Sequence, residues 1–197
     1  MKIIEQSFVI VGSAILSLLI ADFISGLIHW AQDSYGTPST PILGRFVKYS
    51  YQHHADPRDL TKKKWGRPNN ISLIIILGMT VFFYYLGWFN WIIGMVIVLA
   101  INMNEFHKWL HQNHSERFKI VTILQKMNVL QNPKIHAVHH TYDNNTDYCF
   151  ITNYLNPLLN FIKFWDRMEL IIYKISGIKS HKIPNKKNTE EKNAPSL

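Results

Sequence analysis

Two stretches of this chain, residues 7–30 and 71–103, are almost wholly apolar, and nothing else in it limits the fold so strongly. A run of about 20 apolar residues matches the hydrocarbon thickness of a bilayer and is uncommon in a soluble helix. The first run passes from Phe8 through Ile28 to His29-Trp30. Glu5 weakens its basic start and no small-residue cleavage site follows before Asp22, so it reads as a retained transmembrane helix rather than a cleaved signal. The second, Ile71 to Phe89, ends in Gly87-Trp88-Phe89-Asn90-Trp91, a tight turn carrying the aromatics favoured at a membrane interface. A third returns from Trp91 to Ile101, turns polar at Asn102, Asn104 and Glu105, and runs into His107 and His111. A buried helical hairpin in a soluble core is the alternative, and the length of uncharged sequence argues against it. The expected fold is an all-α integral membrane protein with about three transmembrane helices plus cytoplasmic and interfacial helices.

Connectivity then decides the sides. The first helix exits at His29, the second leaves that face and the third returns to it, so residues 31–70 and 108–197 share one side of the membrane. Lys2 is the only basic residue away from it; Arg45, Lys48, Arg58, Lys62, Lys63, Lys64 and Arg67 lie in the first loop, and every other Lys and Arg follows His107. The positive-inside rule makes this side cytoplasmic. The net charge of +8 is thereby accounted for by topology, and no helix-turn-helix or base-stacking signature points to nucleic acid. Phe118–Leu130 and Leu155–Tyr173 mix apolar and basic residues as amphipathic helices lying on the membrane do. Trp30, Trp88 and Trp91 fall at expected interface belts. The 197 residues read as one membrane domain, 1–178, followed by a polar, Lys- and Asn-rich tail, 179–197, expected to be disordered. The single cysteine, Cys149, excludes an internal disulfide framework and Cys-rich zinc or iron–sulfur sites.

On that shared side the histidines bunch. Eight of the ten form four clusters: His29, His53-His54, His107-x3-His111 and His136-x2-His139-His140. One zinc site takes four ligands, so eight imidazoles are enough for two ions. The spacing of His107 and His111 puts both rings on one helical face. A zinc protease would need Glu where Lys108 stands, so that reading fails. His136 and His139 share a face, with His140 free to reach a second metal. His53-His54 precedes Ala55-Asp56-Pro57, where proline disfavours helix, so a loop is expected to fold that pair back. Two ions held mainly by imidazole, with open positions, suit iron and dioxygen. Asp33, one turn after His29, is a candidate outer-shell acceptor for that ring or a solvated helix-end acid. Asp22, an acid inside a span, is expected to have a partner in the site or its packing. His114 reads as a solvated loop residue and His181 as an inert one.

Asp22-Phe23-Ile24-Ser25-Gly26-Leu27-Ile28-His29-Trp30, Gln52-His53-His54-Ala55-Asp56-Pro57, His107-Lys108-Trp109 with His111, and His136-x2-His139-His140 followed by Tyr148-Cys149 and Leu155-Asn156 resemble, in that order, the lipid desaturase domain family. Its ether-lipid branch contains the plasmanylethanolamine desaturases, and its plastid branch acts on phosphatidylglycerol acyl chains. The resemblance covers about residues 20–175. It implies an oxygen-dependent oxidoreductase with two iron ions, acting on a membrane phospholipid close to the glycerol backbone. An external electron donor such as cytochrome b5 or ferredoxin would feed it. His29, His53, His54, His107, His111, His136, His139 and His140 carry over as ligands, with Asp22, Asp33 and Asn144 as outer-shell groups. The enzyme would sit in the inner membrane of a bacterium, or in the endoplasmic reticulum or plastid of a eukaryote. Where the animal ether-lipid enzymes have a His-Glu pair, this chain has Asn144-Asn145, closer to the plastid branch. A lipid hydroxylase shares the same first hydrogen abstraction, and a non-catalytic metal-binding membrane protein is the alternative outside catalysis.

Overall fold

The structure is a computed structural model that describes residues 2–41, 44–141 and 146–183, and among these residues it is helical with no strand. Helix α1, Lys2–Tyr35, has 34 residues, about 51 Å at 1.5 Å per residue. Its halves differ. Phe8, Val9, Ile10, Val11, Ile15, Leu16 and Ile20 are exposed, whereas Ala21, Asp22, Ser25, His29, Trp30, Asp33 and Ser34 are buried. The apolar half therefore projects from the molecule and the polar half runs through its interior.

Helices α2 (Gly44–Ala55), α3 (Gly66–Tyr85), α4 (Trp91–Ile101) and α5 (Met103–His111) follow, with a 3-10 turn at Pro57–Lys62. Among the described residues one helix, Ile4–Tyr35, is long and apolar enough to cross a membrane; Leu73–Tyr85 and Trp91–Ile101 are shorter apolar helices. The third apolar run breaks at Asn102, which ends α4 and opens α5. Its side chain donates to Val98 O at 2.9 Å and accepts from Trp65 Nε1 at 3.2 Å, an arrangement by which a short amide competes with the helical backbone. Helix α4 packs against both α1 and α3.

The expected interfacial helices are shorter than their sequence pattern. Phe118–Leu130 is helical only as α6, Lys119–Lys126. Leu155–Tyr173 divides into α8, Leu155–Phe161, and α9, Phe164–Ser176, because Lys163 adopts the left-handed conformation at φ 50°. Between α6 and α8, Asn132 caps α7, Pro133–Thr141: its side chain accepts from Lys134 N at 2.9 Å, and Pro133 takes the first helical position, where a missing N–H costs nothing.

Residues 146–152 form an irregular strap threaded through the interior, with Tyr148, Cys149 and Ile151 essentially inaccessible. Buried backbone needs partners, and side chains supply them here. Asp22 accepts from Ile151 N at 2.8 Å and from the Thr152 hydroxyl at 2.5 Å. Gln131 donates its amide to Cys149 O at 2.8 Å and its backbone N–H to Ile151 O at 2.8 Å. Asn156 accepts from Cys149 N at 3.0 Å and donates to Cys149 O at 2.7 Å. Gly26 lets the strap approach, since a Cβ there would lie 2.5 Å from Cys149 Sγ.

Two apolar clusters flank the strap. One gathers Ala21, Ala100, Met103, Leu110, Val121, Leu130, Phe150 and Ile151. The other gathers Trp30, Tyr148, Cys149, Leu159 and Trp165. Trp30, read from sequence as an interface residue, is 3% exposed and donates its indole N–H to Glu169 at 3.1 Å. Trp88 and Trp91 are exposed. Only the first residues of the expected tail are described. Lys179 is exposed, but residues 180–183 are partly or fully buried, Ile183 being 2% exposed, and residues 184–197 lie outside the described part.

Candidate metal centre

All eight clustered histidines meet in the interior, as two groups whose ligand atoms lie within 4.8 Å of one another. One group is His53, His107, His111, His136 and His140; the other is His29, His54, His139 and Asp33. Helix geometry explains the sorting. His53-His54 lies in the last turn of α2, not in a loop, because Pro57 stops the helix only after Ala55. Adjacent residues on a helix diverge by about 100°, so one ring enters each group. On α7 the pair that shares a group is His136 with His140, and His139 turns to the other; the expected pairing of His136 with His139 gives way to the i,i+4 one. His107 and His111 stay together on α5, as their spacing predicts.

In the five-histidine group the Nε2 atoms converge. His107 and His136 are 2.9 Å apart at Nε2, His136 and His111 3.1 Å, His136 and His140 3.1 Å, and His53 and His140 3.1 Å. A neutral imidazole has one donor nitrogen, and His136 Nε2 faces three others, so pairwise hydrogen bonding cannot satisfy the set. Burial first, then the neighbouring imidazoles, holds His53, His107, His136 and His140 well below the usual histidine value, and His111 at about 3. The rings are thus neutral near pH 7, the form that offers a lone pair to a metal. Phe150 stacks on His107 at 4.7 Å and 19°.

The second group is oriented from outside. Thr146 O lies 2.8 Å from His139 Nδ1, and Tyr148 O lies 3.1 Å from His29 Nδ1. A carbonyl only accepts, so both Nδ1 atoms carry hydrogen and both Nε2 lone pairs point inward. Those two Nε2 atoms are buried without a hydrogen-bond partner among the described residues. Asp33 Oδ2 sits among them, 2.9 Å from His54 Nε2, 3.2 Å from His139 Nε2 and 3.3 Å from His29 Nε2. Its other oxygen accepts from Ser50 Oγ at 2.6 Å. Asp33 therefore stands in the ring of potential ligand atoms rather than behind it. The donor set fits a divalent ion in each group: five nitrogens in one, three nitrogens and a carboxylate in the other.

Asp22 contacts the strap rather than a histidine. Asn144 lies outside the described residues. His114 is exposed. His181, read as inert, has Nε2 2.7 Å from Gly36 O. Ser50, Gln131 and the Thr146 and Tyr148 carbonyls were missed as site components, because backbone acceptors and buried amides leave no residue-type signature.

The fold and site define a helical protein built around a buried, histidine-rich centre with places for two metal ions. The lipid desaturase domain matches residues 18–183, and the chain belongs to that family of desaturases. It is 32% identical over 176 residues to a probable fatty acid desaturase of Acanthamoeba polyphaga mimivirus, covering 84% of this chain and 83% of that protein. It is 29% identical over 188 residues to plasmanylethanolamine desaturase 1 of Mus musculus, covering 89% and 69%. Chloroplastic fatty acid desaturase 4 of Arabidopsis thaliana is 31% identical over 166 residues, covering 82% of this chain and 51% of the plant protein. No solved structure matches the chain.

Proposed function

We propose that this protein is a membrane-bound di-iron desaturase that introduces a double bond into a phospholipid chain near the glycerol backbone. The chain attacked is an acyl group, or an O-alkyl ether whose product is a vinyl ether. The observation that carries the reading is the pair of buried, adjacent ligand sets, one of five imidazoles and the other of three imidazoles and a carboxylate. His53, His107, His111, His136 and His140 hold one ion; His29, His54, His139 and Asp33 hold the other. When bound, the two irons supply dioxygen activation, which the open coordination positions of a His-rich site permit. The balance is one CH2–CH2 unit, O2, two electrons and two protons giving one alkene and two waters. The electrons come from a separate one-electron donor protein.

The chain's own residues do the rest. The strap carbonyls fix two imidazoles, Phe150 and Tyr148 wall the rings from water, and Asp22 keeps the strap in place. In this reading Leu73–Tyr85 and Trp91–Ile101 cross the membrane with α1, placing the centre and most Lys and Arg on the cytoplasmic side. Surface Lys and Arg attract the lipid phosphate.

Lipid mass spectrometry tests the proposal in a host that contains alkyl-ether and diacyl phospholipids and a competent reductant. Wild type is expected to yield a lipid about 2 Da lighter that is absent with His139→Ala. Acid lability then separates a vinyl ether from an acyl alkene. A product about 16 Da heavier would replace desaturation by hydroxylation. Unchanged lipids, despite bound iron and reductant, would reject the catalytic reading in favour of metal binding alone.

A further inference from the structure

Beyond α9 the chain turns back onto the end of α1. Gly177, at φ 72°, ends α9. His181 N then donates to Ser34 O at 2.8 Å and Ile183 N to Asp33 O at 3.2 Å. These are carbonyls at a helix C-terminus, which lack partners within their own helix. Lys182 reaches into the same place. Its ammonium pairs with Glu169 of α9 and donates to Ser34 Oγ at 2.9 Å and Tyr148 OH at 3.2 Å. Glu169 also accepts from Trp30 Nε1 at 3.1 Å, Ser34 Oγ at 3.2 Å and Ser180 Oγ at 2.6 Å. One cation thus joins α9, the last turn of α1 and the strap.

What it joins surrounds the carboxylate-containing ligand set. Ser34 follows Asp33 in the chain. Tyr148 packs its ring 5.1 Å from His139 and 5.8 Å from His29, and presents its carbonyl to His29. The five-histidine set draws its side chains from α2, α5 and α7, elements that Lys182 does not tie together. The family match ends at Ile183, so this segment belongs to the domain.

We propose that Lys182 is a positioning residue, and that residues 180–183 form a clasp that sets the geometry of the His29–His54–His139–Asp33 site through Asp33 and Tyr148. The proposal rests on the two-metal reading. Its partial exposure leaves the clasp reachable from solvent while the ligands behind it are buried.

Co2+ is the probe, because its visible absorption reports ligand number and geometry. Full-length wild type, Lys182→Met, Lys182→Arg and Tyr148→Phe are loaded in detergent and challenged with a chelator; Asp33→Ala assigns the absorption of the carboxylate-containing site. Lys182→Met is expected to shift that absorption and release one of two ions about tenfold faster, the scale of outer-shell losses, with the second ion leaving at the wild-type rate. Lys182→Arg restores most of the difference, and Tyr148→Phe, which removes only the hydroxyl contact, moves the same way by less. Wild-type spectra and release in both Lys182→Met and Tyr148→Phe would overturn the clasp. So would loss of both ions together with helix content in Lys182→Met while Tyr148→Phe behaves as wild type, since Lys182 would then serve folding alone. Wild type that takes up no Co2+ would overturn the metal reading, and the clasp with it.

Discussion

Asp33 is where the two halves of the centre differ. Its set includes a carboxylate anchored by Ser50 and two imidazoles anchored by backbone carbonyls, whereas the other set is imidazole alone. If Asp33 is a ligand, Asp33→Ala lowers bound metal from about two ions per chain to about one. His111→Ala leaves four imidazoles in the opposite set, so it weakens that ion and changes its spectrum without emptying the site. Elemental analysis with a cobalt spectrum distinguishes them, and an Asp33→Ala protein that keeps both ions refutes direct ligation. The eight histidines were legible because imidazole clusters stand out in sequence. The role of Asp33 was half legible. Its i,i+4 spacing from His29 put it on the right face, but only the fold shows that His54 and His139 arrive at the same oxygen.

Among the elements, the strap was the least legible. Residues 146–152 have neither helical nor strand period, and their partners Asp22, Gln131 and Asn156 are set by packing rather than by local sequence. Helices were easier, although the apolar and amphipathic patterns overran real breaks at Asn102 and Lys163, where single residues leave helical geometry. Gly26→Ala tests the strap, since the new Cβ meets Cys149 Sγ at 2.5 Å and Cys149 N at 3.0 Å. Overpacking of this kind costs about 1–3 kcal/mol. The thermal midpoint should fall, and the His29-side ion should leave faster as Tyr148 O moves. Gly12→Ala, with nothing within 4 Å, is the neutral control; equal midpoints for the two variants would remove the strap from the argument. A second element-level tether is Arg58, which binds Glu116 at 2.8 Å and donates to His111 O at 3.2 Å. The Arg58 hydrogen bond, aided by Asn113 N–H, lowers the Glu116 carboxyl from 4.5 to about 2. Because the folded value is the lower one, the stabilisation is complete above 4.5 and fades as pH falls towards 2. Glu116→Gln should therefore melt below wild type at pH 7, with the gap narrowing through pH 4 to 3. A gap independent of pH would show that the charge is not responsible.

At the scale of the molecule, the exposed apolar surface and the metal centre are offset along the same helices. The dense apolar face of α1 ends at Ile20, nine residues before His29, and α4 ends at Ile101, six before His107. At 1.5 Å per residue those intervals are about 14 and 9 Å. If the apolar surface lies in hydrocarbon, the centre lies just outside it, at the depth of the glycerol backbone rather than of the chain ends. Helix α4, 11 residues long, spans about 16 Å, roughly half the hydrocarbon thickness. The three-span topology thus depends on the bilayer meeting the short hairpin at Trp88 and Trp91 and the polar break at Asn102. Sidedness tests this directly. In sealed vesicles with the cytoplasmic face outward, an impermeant amine reagent should label the exposed Lys62, Lys64 and Lys126. A cysteine placed at exposed Trp88 should react with an impermeant thiol reagent only after the vesicles are opened. Native Cys149 is buried against Gly26 and does not compete. Reaction of the Trp88→Cys protein in intact vesicles would mean that the hairpin does not cross the membrane, leaving α1 as the anchor, whereas no reaction even after opening would mean that it turns back within the hydrocarbon.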